Sequence, residues 1–185
     1  MKQAALKFPD DVTTNAKAPE FKRELDTSSK CSHTNIVKFY GTIQVLANPL
    51  KLGLLYELCD SRSLANVITD VKREPAYTVT GFSYAQDLAL NIVKSLDYLH
   101  GNNVIHRNLK PENILITARN EVKRADIGLA NHIRQAKSTV CEIYAHMAPE
   151  IMSGKPYTRS VDLFSFGIIM WSVFKPVLQN GKFDM

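Results

Sequence analysis

Long apolar runs are missing from this sequence. The most apolar window, Val161 to Phe174, holds Asp162 and falls short of the ~20 residues a membrane-crossing helix takes, so it reads as a buried helix. Cysteine is scarce too. Cys31, Cys59 and Cys141 are odd in number, far apart and without metal-ligand spacing, which fits a reduced intracellular compartment, taken as cytoplasmic. The net charge of +5 comes with no dense Lys/Arg run and no interleaving of basic with aromatic residues, so nucleic acid is not an expected partner. A secretory leader is not expected either, because Lys7, Asp10 and Asp11 interrupt the first apolar stretch. Neither an internal repeat nor a low-complexity tract occurs.

What is present is a globular composition. Hydrophobic residues make up 45% and charged residues 22% of 185, enough for one domain with a core and short for two. The pattern predicts a strand over Ala4–Phe8 ended by Pro9, then a polar loop from Asp10 to Ala18. Pro19 suits the first turn of a helix running through Glu20 to Lys30, weakened by Thr27-Ser28-Ser29. Ile36 to Leu46 and Lys51 to Leu58 read as strands separated by a turn at Asn48-Pro49. A short helix is expected over Ser63–Asp70 and a polar loop over Val71–Thr80. The clearest helix follows: Ala85, Leu88, Ala89, Ile92, Val93, Leu96 and Leu99 form one apolar stripe. Ser83 with Gln86 looks like its capping box, and Gly101 its stop. Asn113–Thr117 and Glu121–Ala125 read as a hairpin around Arg119-Asn120. Asp126 to Pro149 reads as a long irregular segment, a kind that is usually functional in a compact domain. Thr158 to Phe174 is the last helix. Strands first and helices after give an α+β class.

The most informative stretch is His106-Arg107-Asn108-Leu109-Lys110-Pro111-Glu112-Asn113. It resembles the catalytic loop of the protein kinase family, H-R-D-L-x-x-x-N, in which the Asp accepts the substrate hydroxyl proton and the Asn holds a metal. Asn108 stands at the Asp position, and a neutral amide has no carboxylate to take a proton. Other motifs follow in the family's order, and the style is nearest its tyrosine-kinase-like branch. Ala5-Leu6-Lys7 resembles the V-A-I-K strand, whose Lys meets the ATP phosphates and pairs with a helix Glu. Counting back from His33-Thr34-Asn35-Ile36-Val37, that Glu is Glu24. Leu54 to Cys59 resembles the strand and hinge beside adenine. The resemblance puts Tyr56 at the gatekeeper position, narrowing the back of the pocket, and backbone groups of Glu57 and Cys59 against the base. Ala5 and Leu115 would lie above and below it. Asp126-Ile127-Gly128 resembles D-F-G, so Asp126 and Asn113 are the implied Mg²⁺ ligands, both with hard oxygens. Lys110 and Arg107 are the implied catalytic-loop cations. Met147-Ala148-Pro149-Glu150 resembles the end of the activation segment, and Asp162 the buried helix Asp that ties down the catalytic loop.

The resemblance implies an incomplete kinase-like fold: a partial small lobe over residues 1–58 and a partial helical lobe over 59–185. The sequence departs from the family at several points. Besides Asn108, it shows no G-x-G-x-x-G loop and the two strands bearing that loop have no counterpart. Ile143, Glu142 and His146 replace the usual Thr, Gly and Tyr of the segment that docks substrate. No counterpart of the helices after the Asp162 helix appears. Ser28, four residues after Glu24, stands where the family usually carries an apolar residue. ATP and Mg²⁺ are therefore expected to bind weakly. The expected role is regulatory, through other signalling proteins, with a weakly active Ser/Thr kinase as the alternative. Ser138, Thr139 and Tyr144 are candidate phosphate acceptors whose phosphates Arg107 could pair.

Overall fold

The computed structural model describes residues 3–8, 18–46, 51–59, 62–73, 81–117, 119, 121–126 and 145–179. The turn expected at Asn48-Pro49, Ile127, Gly128, Glu142, Ile143, Ser138, Thr139 and Tyr144 lie outside them.

Two small antiparallel sheets carry the site. In the first, β1 (Ala4–Lys7) and β2 (Phe39–Val45) flank β3 (Lys51–Glu57). β2 starts later than the expected strand because Ile36 bridges to Arg124 instead of β3; within β2 the pairing shifts between Phe39 and Gly41, where Gly41 takes a φ of 147°. Gly53 lies buried on β3, and a Cβ there would stand 2.6 Å from Leu6 Cδ1, so the Leu6 side chain would have to shift to admit one. The second sheet is β4 (Arg62–Ser63), β5 (Ile114–Ile116) and β6 (Val122–Arg124). The β5–β6 hairpin has the register the sequence suggests, with Leu115 opposite Lys123. β4 is too short for periodicity to reveal.

Helix α1 spans Ala18–Lys30, so the Thr-Ser-Ser run stays helical. α2 spans Leu64–Arg73 and takes in Val71–Arg73, which the polar composition assigned to a loop. α3 runs from Gly81 to Gly101. It starts two residues before Ser83, which therefore sits inside the first turn and not at the cap position. Its stripe is also narrower than expected. Ala85, Leu88, Ile92, Leu96 and Leu99 are buried, whereas Val93 is 41% exposed at the edge of the face. A four-residue α4 (Pro149–Met152) and the long α5 (Ser160–Gln179) complete the described elements, α5 reaching beyond the expected Phe174.

The main core gathers Leu64 of α2, Leu88, Ile92 and Leu96 of α3, Leu109, Ile114, Val122, and Ile169 and Val173 of α5. Burying one such side chain stabilises by about 1.5–3 kcal/mol. Leu109 anchors the loop Val104–Lys110 in this core, while Val104 packs with the smaller cluster of Ile36 and Leu99. The two sheets meet at a parallel bridge, Ile36 to Arg124, with Arg124 N donating to Asn35 O and Val37 N to Arg124 O, both at 2.9 Å. That junction fixes where the end of β6 stands relative to β1 and β3.

Candidate functional site

Strand β1 alternates its side chains, so Ala5 and Lys7 leave the same face. Lys7 Nζ donates to Glu24 Oε1 of α1 at 2.8 Å and also contacts Asp126 Oδ1, just past β6. Burial pulls the Lys7 ammonium down, but the carboxylates of Asp126 and Glu24 outweigh it, and its pKa stands above the ordinary 10.5. Glu24 is buried and takes a second donor, the Tyr56 hydroxyl at 3.1 Å. Asp126 holds a φ of 63°, a left-handed conformation that a non-glycine residue adopts at a cost and that often marks a functional position.

A cavity of about 210 Å³ opens on this cluster. Ala5, Lys7, Glu24, Tyr56, Glu57, Cys59, Leu115 and Asp126, all singled out in the sequence, line it together. Val37, Leu58, Arg124 and Ala125 line it too and were not singled out. The bridge Ile36–Arg124 brings Val37, Arg124 and Ala125 there, and no sequence pattern announces a bridge of one residue pair. Cys59 is in no disulfide. The Glu57 N–H is taken by Lys38 O at 2.8 Å, so it is not available to a ligand. Its carboxylate is held by Lys123 Nζ at 3.1 Å and by Lys38 N at 3.2 Å.

The remaining predicted residues lie on the adjoining loop, outside the cavity lining. Asp162 of α5 is wholly buried and organises that loop. Its Oδ2 accepts from His106 N and its Oδ1 from Arg107 N, each at 2.8 Å, and His100 Nε2 lies 2.8 Å from Oδ2. Three donors on one carboxylate satisfy a charge that burial would otherwise penalise by several kcal/mol, of order. Arg107 turns through a φ of 65° and sets its guanidinium over the Tyr157 ring, 5.2 Å from the centroid. Burial, then the nearby Arg124 cation, pushes the His106 imidazole down to about 4, so it is neutral. As a neutral ring it accepts from Asn108 N at Nδ1, 3.3 Å, and faces Ala125 O with Nε2 at 3.4 Å. Asn113 donates Nδ2 to Asn108 O at 2.9 Å, and its carbonyl accepts from Ala125 N at 2.9 Å. Asn108, Asn113 and the Asp126 strand are thus stitched together. Lys110 precedes the 3-10 turn Pro111–Asn113. Ser165 Oγ of α5 ties the activation-segment end by donating to His146 O at 2.6 Å.

Arg124 is a further buried residue that sequence reading missed. It is 1% exposed, donates Nη2 to Ile92 O at 3.1 Å and Ser95 Oγ at 2.5 Å, and leaves Nε and Nη1 without a hydrogen-bond partner among the described residues. Its position on β6 reads as an ordinary exposed cation in an alternating strand.

Comparison with known proteins agrees with this geometry. Residues 1–182 match the protein kinase domain family. The chain is 37% identical over 162 residues to a serine/threonine/tyrosine-protein kinase, HT1, of Arabidopsis thaliana, covering 86% of this chain and 40% of that protein. It is 32% identical over 153 residues to an Aurora kinase of Yarrowia lipolytica, covering 82% of this chain and 39% of that protein. It is 33% identical over 152 residues to the MAP kinase kinase skh1/pek1 of Schizosaccharomyces pombe, covering 82% and 41%. The chain therefore spans about two fifths of the length of these relatives. With a match running through the Lys7 strand, the catalytic loop and the Asp162 helix, the chain belongs to the protein kinase domain family.

Proposed function

We propose that this chain is a pseudokinase-type module, nearest the tyrosine-kinase-like branch, that holds ATP and Mg²⁺ weakly, transfers phosphate slowly or not at all, and works by binding other signalling proteins. Residues 1–58 form its small lobe and 59–185 its large one. The observation that carries the reading is at position 108. The loop is clamped by Asp162 in an ordered conformation, yet the group it presents is a carboxamide. Loss of a general base typically costs ~10²–10⁴-fold in rate. Proteins of this family bind ATP and Mg²⁺, and the residues here fit both.

Ala5 and Leu115 offer apolar faces to a base, the Glu57 carbonyl and the Cys59 backbone its polar edge, and Lys7 a cation for phosphate. Asn113 has committed its nitrogen to Asn108 O, which leaves the amide oxygen for a metal. Asp126 supplies a carboxylate. One carboxylate and one carboxamide suit Mg²⁺, which is usually held by one or two protein oxygens together with phosphates. Bound there, the ion would neutralise phosphate charge. A metal must share Asp126 with Lys7, which favours weak binding.

Thermal melts with ATP and Mg²⁺ test the binding. A ligand at a hundredfold excess over its Kd stabilises by ~2.7 kcal/mol, and an unmoved melt at high ATP removes the nucleotide from this reading. Asn108→Asp, made in a chain that also carries a Gly-rich loop, tests the block. A large gain in phosphotransfer identifies Asn108 as the lesion. Ordinary kinase turnover by the unaltered chain would favour the alternative, a Ser/Thr kinase acting through Lys110, Arg107 and the metal. No helix among the described residues is long and apolar enough to cross a membrane.

A further inference from the structure

Ser28 and Tyr56 depart from simple packing at the same place. Ser28 is buried on α1, 4% exposed, one turn beyond Glu24. A lone buried hydroxyl there would cost stability unless it were bonded. It lies 3.0 Å from the Tyr56 hydroxyl, whose oxygen is 3.1 Å from Glu24 Oε1. A phenol has one proton to donate. The Glu24 carboxylate can only accept, so the Tyr56 proton goes to it. Ser28 must then be the donor to the Tyr56 oxygen. The result is a directed chain from Ser28 through Tyr56 to Glu24 Oε1, the same oxygen that Lys7 Nζ holds at 2.8 Å. Burial, with the Glu24 charge adding to it, raises the Tyr56 pKa, so the phenol keeps its proton. The ring is itself fixed edge-on against Phe39, centroids 5.4 Å apart, so the hydroxyl is not free to swing away.

We propose that Ser28 and Tyr56 are positioning residues, whose paired hydroxyls pin α1 to β3 and thereby hold Glu24, and through it Lys7, at the phosphate end of the cavity. The inference deepens the reading of this cavity as a nucleotide site and rests on it for its functional consequence. Two polar groups from different elements replace apolar contact at this point. Neither is useful without the other: Ser28 without Tyr56 is an unsatisfied buried hydroxyl, and Tyr56 without Ser28 loses half of its anchorage to α1.

The test uses the 185-residue chain with Tyr56→Phe, Ser28→Ala and the double variant. Ile169→Val serves as a control that loosens the main core without touching α1. Amide hydrogen exchange of Glu24 to Ser28 reads the tether without any ligand. Titration with ATP and Mg²⁺ reads its consequence. Tyr56→Phe keeps the ring and removes the hydroxyl. It removes both hydroxyl bonds to α1, so it is expected to speed α1 exchange by about three- to tenfold for each net hydrogen bond lost, more than Ser28→Ala, and to weaken ATP in the same order. Ile169→Val is expected to lower the melt and leave α1 exchange unchanged. In the double variant the two single effects are expected to overlap rather than sum. Unchanged α1 exchange in Tyr56→Phe, or fully additive single effects, overturns the proposal. So does α1 exchange that rises equally in the control. If Tyr56→Phe does not fold, Ser28→Ala with the same readouts decides alone. If the unaltered chain binds no ATP, the nucleotide reading fails by itself, while exchange still supports or overturns the tether.

Discussion

At the scale of single residues, the site works because buried polar groups have partners chosen for their charge state. Asp162 accepts from two backbone N–H groups and meets His100, so removing it leaves those donors buried and the loop untied. Asp162→Ala is expected to cost about 3–5 kcal/mol in urea unfolding, as for a broken buried pair. A loss under 1 kcal/mol would mean the carboxylate is not the clamp. His106 sets a pH dependence of known sign. Its folded pKa, about 4, lies below the ordinary 6.5, so the unfolded chain binds the proton more readily. Its contribution is full above pH 6.5 and is lost as pH falls from there toward 4. The slope is at most about 1.4 kcal/mol per pH unit for one proton. Denaturant melts between pH 7.5 and 4.5 should show this fall, and His106→Gln should flatten it. Arg124 shows the limit of residue-scale reading: neither its burial nor its two unpartnered nitrogens follow from a lysine-and-arginine-bearing strand.

At the scale of elements, most boundaries were legible and the exceptions have local causes. α3 was read from its apolar period, which survives except at the edge of the face, where Ala89 is half-buried and Val93 exposed. α2 outran its expected end because Lys72 and Arg73 are good helix formers despite being polar. β4 and the Ile36–Arg124 bridge escaped notice because one or two residues carry no periodicity. Glycine decides the exit from α4. Gly154 has a φ of 64° with open space around it, so the cost of a side chain there is backbone strain alone. Gly154→Ala is expected to destabilise by about 1 kcal/mol, read as a lowered Tm, with no change at the Lys7 cluster. A Tm equal to that of the unaltered chain would show that α4 contributes little to the cooperative unit.

At the scale of the molecule, two sheets and three long helices converge so that β1, α1 and the residue just past β6 meet in one ion-pair cluster, Lys7 with Glu24 and Asp126. The shared core makes this a cooperative arrangement. Leu96→Ala, in the middle of the α3–α5 contact, is expected to cost about 2–5 kcal/mol and to lower the melt of both sheets together. Separate transitions for the two halves would show that the Arg124 junction does not couple them. Order and spacing of motifs were enough to name Lys7, Glu24, Asn108, Asn113, Asp126 and Asp162, because each belongs to a local pattern a few residues long. Chain order also determined the α+β class, since periodicity is a property of neighbours along the backbone. Only tertiary structure decided that Ser28 answers Tyr56, that Val37 and Arg124 reach the cavity, and that Asp162 spends its oxygens on His106, Arg107 and His100. Those contacts join residues tens of positions apart, and a hydrogen bond between such residues exists only once packing has brought the elements together.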